Sequence, residues 1–135
     1  MVTASKIYCF RGDGSEGDGL TGVVVQEKNE SLGESHDLLY CRACGRVVTS
    51  RDQRISINGS HTHTFFNPAG IVFELACFRK APGCAIVGGA SSEFTWFSGY
   101  LWRFGLCLSC DAHLGWLYEM GEHFFYGLIL PRLRR

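Results

Sequence analysis

From Leu38 onward, short apolar or alternating segments are interrupted by glycine, proline, asparagine and serine. This pattern is typical of β-strands joined by turns, because strand side chains alternate between two faces and turns favour residues with unusual backbone angles. No stretch shows sustained helical periodicity, and no internal repeat is found. The pattern predicts a mostly antiparallel β domain with strands at Leu38–Tyr40, Thr64–Phe66, Ile71–Phe78, Ala85–Val87, Phe94–Phe97, Leu101–Leu106, Gly115–Tyr118 and Phe124–Ile129.

The first part of the chain has a different composition. Residues 11–36 are rich in glycine, serine and acidic side chains, and such a segment cannot bury enough apolar surface to offset its chain entropy. A chain of 135 residues that is 46% hydrophobic is long enough for one core. We therefore predict a flexible extension over residues 1–36 and one folded domain over residues 37–135.

Charge and hydropathy exclude several partner classes. The 13 basic and 13 acidic side chains cancel, so no global field attracts nucleic acid or anionic lipid, and the basic residues Arg132, Arg134 and Arg135 are interpreted as a solvated terminus. No apolar run approaches the roughly 20 residues that span a bilayer. Met1–Phe10 lacks the features of a secretory signal. We expect a soluble, cytoplasmic or nuclear protein that binds neither nucleic acid nor membranes.

The cysteines are the strongest chemical signal. Seven cysteines without an export signal favour metal ligation over a disulfide framework. Cys41-x-x-Cys44 and Cys107-x-x-Cys110 are two knuckles, each able to place two thiolates on one tetrahedral ion. A shell of four thiolates leaves no open coordination position, so the pattern predicts one structural Zn²⁺ that has no catalytic role.

Two histidines offer a weaker metal signal. His61 and His63 are separated by one residue and would project from the same face of a strand. Because four cysteines already complete a site, these histidines are interpreted as loop or packing residues.

All three tryptophans fall within one region of the sequence. The dipeptide Ser98-Gly99 reads as the tip of a hairpin, which would place Trp96 and Trp102 on facing strands. Trp116 and Tyr118 differ by two positions and therefore project to one face of the next strand. The pattern favours an aromatic cluster, and composition alone leaves open whether it forms a ligand cage or part of the core.

The order and spacing of these motifs carry a specific resemblance. The chain resembles the thalidomide-binding domain of cereblon, also called the CULT domain, over about residues 38–131, and looks like a single-domain homologue. The resemblance rests on Glu93–Trp102, Cys107–Tyr118, Cys41-x-x-Cys44, Phe66–Gly70 and Phe125–Leu128.

The resemblance implies a β-tent fold of two antiparallel sheets joined around one structural zinc site. It also implies a cage of Trp96, Trp102 and Trp116 with Tyr118 as its floor, and Asn67 on the loop that covers it. Members of the family bind cyclic imides: glutarimide, thalidomide-type compounds, uracil-like rings and peptide ends cyclised to imides. These ligands are the partners that the resemblance implies.

The same resemblance assigns backbone roles. The Phe94 carbonyl would accept the imide N–H, the Trp96 N–H would donate to one imide oxygen, and the Trp102 indole N–H would reach the other. The animal receptor has histidine at the position of Phe94 and phenylalanine at the position of Tyr118, which puts any contact of the histidine side chain in doubt.

Cereblon also carries a protease-like Lon region and a helical segment that docks to a ubiquitin ligase adaptor. These do not fit in 135 residues, so adaptor docking is not implied. We expect a monomeric binding module that is not an enzyme.

Two alternatives stay open at this point. A zinc-fold thiol reductase of the methionine sulfoxide reductase B type would need a reactive thiol, for which Cys77 and Cys84 are the weak candidates. An aromatic cage could instead hold a methylated ammonium group through cation–π attraction, with Glu93 as the only adjacent acid.

Overall fold

The computed structural model describes residues 37–135, and the flexible extension predicted for residues 1–36 lies outside the described residues. Nine β-strands and two short 3₁₀ turns, Arg51–Gln53 and Leu130–Arg132, form this part of the chain. The strands are β1 (Leu38–Cys41), β2 (Val47–Ser50), β3 (Thr62–Phe66), β4 (Val72–Phe78), β5 (Cys84–Ser91), β6 (Leu101–Cys107), β7 (His113–Met120), β8 (His123–Ile129) and β9 (Leu133–Arg134). Within this range no helix is long and apolar enough to cross a membrane.

The strands form two antiparallel sheets, which confirms the predicted fold class. One sheet has six strands in the order β3-β4-β8-β7-β6-β5, and the other has three in the order β2-β1-β9. Every pairing is antiparallel. In the six-stranded sheet, neighbouring strands are also consecutive in sequence, except that β8 lies beside β4.

The central strands of the six-stranded sheet are buried on both faces. In β4, Leu75 and Cys77 belong to one core cluster while Ala76 and Phe78 belong to the other. Because side chains alternate along a strand, the two clusters lie on opposite faces of the sheet. One face carries the tryptophans, and the other packs against the small sheet through residues such as Leu39. Burial on both faces explains why β4 reads as a nearly continuous apolar run.

Two glycines allow β7 and β8 to approach closely. A Cβ at Gly115 would collide with the backbone of Gly127, and the φ of Gly115 is +157°. A Cβ at Gly127 would lie 3.0 Å from the ring of Tyr118. These positions therefore set the distance at which β8 supports the aromatic residues of β7.

The structure corrects the predicted strand pattern at three places. The strand expected at Phe94–Phe97 is a loop, in which Phe94 has a φ of +57° and the Thr95 N–H bonds to the Ser92 carbonyl at 3.3 Å. A β-strand cannot continue through a residue in the left-handed region. Strands β2 and β9 were not predicted; they have four and two residues and lie at the two edges of the small sheet.

The turn at Ser98-Gly99 is confirmed, but the predicted hairpin is wrong. Gly99 has a φ of +89°, and the Tyr100 N–H bonds to the Phe97 carbonyl at 2.9 Å. Residues 92–100 form a loop between β5 and β6 rather than a strand before this turn, so Trp96 and Trp102 do not face each other across a hairpin. Trp102 instead pairs with Ser91 of β5 and Tyr118 of β7.

Candidate functional site

Four cysteine sulfurs meet where the two sheets join. The Sγ atoms of Cys41, Cys44, Cys107 and Cys110 all lie within 4.8 Å of one another. The Cys41–Cys110 distance is 3.7 Å and the Cys44–Cys107 distance is 3.5 Å. A tetrahedral zinc with Zn–S bonds of about 2.3 Å requires sulfur separations of about 3.8 Å. The four residues could therefore hold a metal ion, and their spacing fits zinc.

The two knuckles are built in the same way. The Cys41 carbonyl accepts the Gly45 N–H at 2.8 Å, and the Cys107 carbonyl accepts the Asp111 N–H at 2.9 Å. Gly45 and Asp111, each four residues after the first cysteine, both have positive φ values, +84° and +66°. Glycine and aspartate are among the residues that tolerate this region. The equivalent turns point both thiolates of each knuckle to one side.

The cysteine cluster links the sheets mechanically. Cys41 ends β1 of the small sheet and Cys107 ends β6 of the large one. Burial raises the pKa of the Cys107 thiol to about 12, whereas a backbone hydrogen bond from Arg46 lowers the pKa of Cys44. A metal would bind these sulfurs as thiolates, and the energy of the metal–thiolate bonds would then contribute to folding.

The two histidines considered as ligands are engaged elsewhere. His61 Nδ1 lies 3.1 Å from the Ile55 carbonyl, and His63 Nε2 lies 3.0 Å from the carbonyls of Ile57 and Ser60. Both rings thus hold the segment before β3, which agrees with their interpretation as loop and packing residues.

Trp116 is the centre of the aromatic site. Its side chain is fully buried, and Trp96 packs against it edge to face, with ring centroids 5.2 Å apart. Phe73 and His113 contact the same indole at 5.5 Å and 4.8 Å. Tryptophans that are 20 positions apart in sequence are therefore in direct contact. Trp102 belongs to the same core cluster but makes its ring contact with Phe104.

Tyr118, for which the resemblance implies a floor, belongs to the same core cluster as Trp102 and Trp116. It stacks on Phe125 at 5.2 Å and meets Phe97 edge to face at 4.7 Å. Burial raises the pKa of its phenol well above the usual value. The phenol is therefore neutral at all physiological pH values and acts as an apolar surface.

The loop between β5 and β6 carries Trp96 across the site. Trp96 stacks on Phe65 at 5.1 Å, and its indole N–H donates to the Phe66 carbonyl at 3.3 Å. The Trp102 indole N–H donates to the Glu93 carbonyl at 2.8 Å and so holds the start of the loop. Phe65 was not identified as a site residue from the sequence. The available signal was its position in the predicted strand Thr64–Phe66, where its side chain points to the opposite face from those of its two neighbours.

Several polar groups around the site have no partner. The Phe94 carbonyl and the Trp96 backbone N–H make no backbone hydrogen bond within residues 37–135. Trp116 Nε1 and Asn67 Nδ2 are buried donors without a partner in the same range. The Asn67 Oδ1 atom is occupied, since it accepts the N–H groups of Ala69 and Ile71 at 3.0 Å and 2.9 Å. Unpaired buried donors are uncommon and indicate a site for an acceptor.

The two cysteines considered as nucleophiles lie in the core. Cys77 and Cys84 are 0% and 1% exposed, and burial raises the pKa of the Cys77 thiol to about 12. A reactive cysteine needs an accessible sulfur and a lowered pKa. These surroundings argue against the reductase alternative.

Comparison with known proteins gives one consistent result. Cereblon from Gallus gallus is 29% identical over 106 residues, which cover 70% of this chain and 24% of that protein. Cereblon from Drosophila pseudoobscura pseudoobscura is 31% identical over 117 residues, covering 81% of this chain and 18% of that protein. Cereblon from Danio rerio is 30% identical over 83 residues, covering 60% of this chain and 19% of that protein.

The chain thus spans about a quarter or less of the length of these curated relatives. No family model matches it.

Proposed function

Because the chain carries a cereblon-like domain, we propose that its aromatic site binds cyclic imides such as glutarimide, uracil-like rings and peptide ends cyclised to imides. A six-membered imide has apolar CH₂ faces that pack on indoles, and one edge that presents an acceptor, a donor and an acceptor. Trp96, Trp102 and Trp116 would form the walls and Tyr118 the floor.

The observation that carries the proposal is the pair of unpaired backbone groups on the loop. The Phe94 carbonyl and the Trp96 N–H are an acceptor and a donor two residues apart, on the loop whose Trp96 ring packs on Trp116. The left-handed conformation of Phe94 is strained for an aromatic residue, and such strain is concentrated at functional sites. An imide edge supplies the N–H and the C=O that these two groups lack.

The roles of the three indole N–H groups differ from one another. Trp102 already donates to Glu93, so we assign it to positioning the loop rather than to the second imide oxygen. Trp116 has a buried, unpaired N–H and is therefore the better donor to a ligand carbonyl. A hydrogen bond of this kind is worth about 1 kcal/mol net, but leaving the donor unsatisfied costs about 1–3 kcal/mol.

We expect binding to move Trp96. Its ring packs edge to face on Trp116, so an imide that inserts between the two indoles displaces Trp96. Trp96 is half-buried and is borne by a loop, whereas Trp116 is fully buried in a central strand. We expect the loop and the adjoining Asn67 turn to shift together, because Trp96 is bonded to Phe66.

The remaining parts of the proposal concern the metal and the class of protein. We propose that the metal is zinc, that its role is structural, and that the domain is a monomeric binding module without catalytic activity. Elemental analysis of the purified protein should find one zinc per chain. Another metal, or none in a folded protein, would contradict this assignment.

Tryptophan fluorescence tests the binding proposal. We expect saturable quenching by glutarimide and none by N-methylglutarimide, because methylation removes the hydrogen that the Phe94 carbonyl accepts. Trp96→Ala should abolish the response, and Phe124→Ala, which changes an exposed aromatic residue of β8, should retain it. Equal responses to both imides would contradict the backbone readout. Displacement of glutarimide by a tetramethylammonium salt would favour the methylated ammonium alternative.

A further inference from the structure

A second concave region lies between the two sheets and shares no residue with the aromatic site. It is a cavity of about 300 Å³, a volume at the lower end of small-molecule sites. Its apolar lining comes from Leu39 of β1, Phe78 of β4 and Leu133 of β9, all of which are buried, together with the half-buried Leu130. The floor therefore consists of core side chains, and the cavity opens to solvent above them.

The rim of the cavity is strongly basic. Four arginines line it, and within the described residues none forms an ion pair with an acidic side chain, where the ion pair found is Arg103–Glu119. Arg134 Nη1 donates to the main-chain oxygen of Arg135 at 3.2 Å. No acidic side chain lines the cavity. The four arginines are Arg51, Arg54, Arg134 and Arg135.

The arginines come from two distant parts of the chain that the fold brings together. Arg54 Nε donates to the Arg51 carbonyl at 2.9 Å, which holds the two residues around one 3₁₀ turn. Arg134 lies over the Tyr40 ring, with its guanidinium carbon 5.2 Å from the ring centroid. Of the three terminal arginines that were interpreted from the sequence as solvated, Arg134 and Arg135 thus form half of one basic rim. Zero net charge of the chain conceals this local field.

We propose that this cavity binds an amphipathic organic anion, with its apolar body on the leucine and phenylalanine floor and a carboxylate or phosphate head on the arginine rim. Guanidinium groups pair with both heads through two parallel hydrogen bonds, and such charge-assisted bonds are stronger than neutral ones. An uncharged apolar molecule would leave the rim unsatisfied. A small inorganic anion would leave the floor exposed to water.

Amide NMR on the full chain tests this site with three probes of equal chain length: octanoate, octyl phosphate and octan-1-ol. We expect saturable shifts at Leu39, Thr62 and Leu133 with one or both anions, and a response at least about tenfold weaker with the alcohol. A preference between octanoate and octyl phosphate would identify the head group. Rising salt should weaken the binding of the two anions and leave the binding of the alcohol unaffected, because salt screens the charges of the solvent-exposed rim.

Variants separate the rim from general charge effects. The double substitution Arg51→Gln and Arg54→Gln should weaken the affinity for octanoate about tenfold or more. Arg79 is exposed and does not line the cavity, so Arg79→Gln should leave this affinity unchanged. The indole N–H signals report whether the variant is folded, and the salt titration of the unchanged protein needs no variant. Equal binding of octanoate and octan-1-ol, absence of binding, or shifts confined to the aromatic site would overturn the proposal.

Discussion

The hairpin β6–β7 connects two sites that are built on opposite principles. At one end, the second knuckle begins at Cys107, the last residue of β6, and meets the first knuckle across the two sheets. The hydrogen bond that closes its turn is equivalent to the one in the first knuckle. At the other end, Trp102 and Trp116 face a loop that includes a strained residue, unpaired backbone groups and a half-buried tryptophan. The first site is fully satisfied once a metal binds, whereas the second has hydrogen-bonding groups left over.

We interpret this difference as a separation of roles: the cysteine end stabilises the fold, and the loop is the proposed ligand site. A closed thiolate shell stabilises a fold and leaves nothing for a further ligand. Free donors and acceptors beside apolar walls cost stability, and they are retained where a ligand satisfies them. Changes at the cysteine end should therefore alter folding, and changes in the loop should alter binding more than folding.

Metal removal should produce the largest effect. A strong chelator, or Cys107→Ser, should abolish the cooperative unfolding transition, because structural zinc contributes about 10–16 kcal/mol in small domains. Circular dichroism during thermal unfolding would measure this. The matched control is Cys77→Ala, a buried cysteine outside the cluster, which should stay folded. A protein that stays folded without metal would show that the cysteine end is not required for folding.

The next largest effect distinguishes two phenylalanines of the same loop. Phe97 is 1% exposed and contacts five aromatic rings, so Phe97→Ala should lower the free energy of unfolding by about 3–5 kcal/mol. Phe94 is 63% exposed in a left-handed conformation, so Phe94→Gly should raise it by up to about 1 kcal/mol. Urea unfolding measures both values. A clear loss of stability in Phe94→Gly would show that its side chain packs in a way the structure lacks.

The two ends also differ in how far the sequence could predict them. Cys41, Cys44, Cys107 and Cys110 were identified because ligand spacing within a knuckle is local and the chemistry of thiolates is specific. The loop was predicted as a strand because Phe94–Phe97 has strand-forming composition, and the sequence does not reveal that Phe94 adopts a positive φ. Contacts such as Trp96 with Phe65, and the partner of each indole N–H, depend on how distant strands pair.

A smaller effect should appear with pH. Burial, with a contribution from Arg132, lowers the pKa of His113 to about 4, below the value of about 6.5 expected in an unfolded chain. The unfolded state therefore binds more protons between these values, and stability should fall as the pH falls. The contribution of His113 is about 2 kcal/mol between about pH 7.5 and about pH 5.

Urea unfolding of His113→Gln tests this contribution. The variant retains a donor for the Gly115 carbonyl that His113 Nε2 contacts at 3.0 Å, but it lacks the titrating group. Its loss of stability on acidification should be smaller than that of the unchanged protein. Identical pH profiles for His113→Gln and the unchanged protein would refute the assignment.

The central claim is that the loop reads an imide through its unpaired groups while the metal end stays as it is. The three tryptophans give three indole N–H signals in a nitrogen–proton correlation spectrum. Glutarimide should shift the Trp96 and Trp116 signals most, leave the amides of the two knuckles unchanged, and lose its effect when its nitrogen is methylated. If N-methylglutarimide causes the same shifts, or if neither compound moves any indole signal, the aromatic residues are core and the account of this site is wrong.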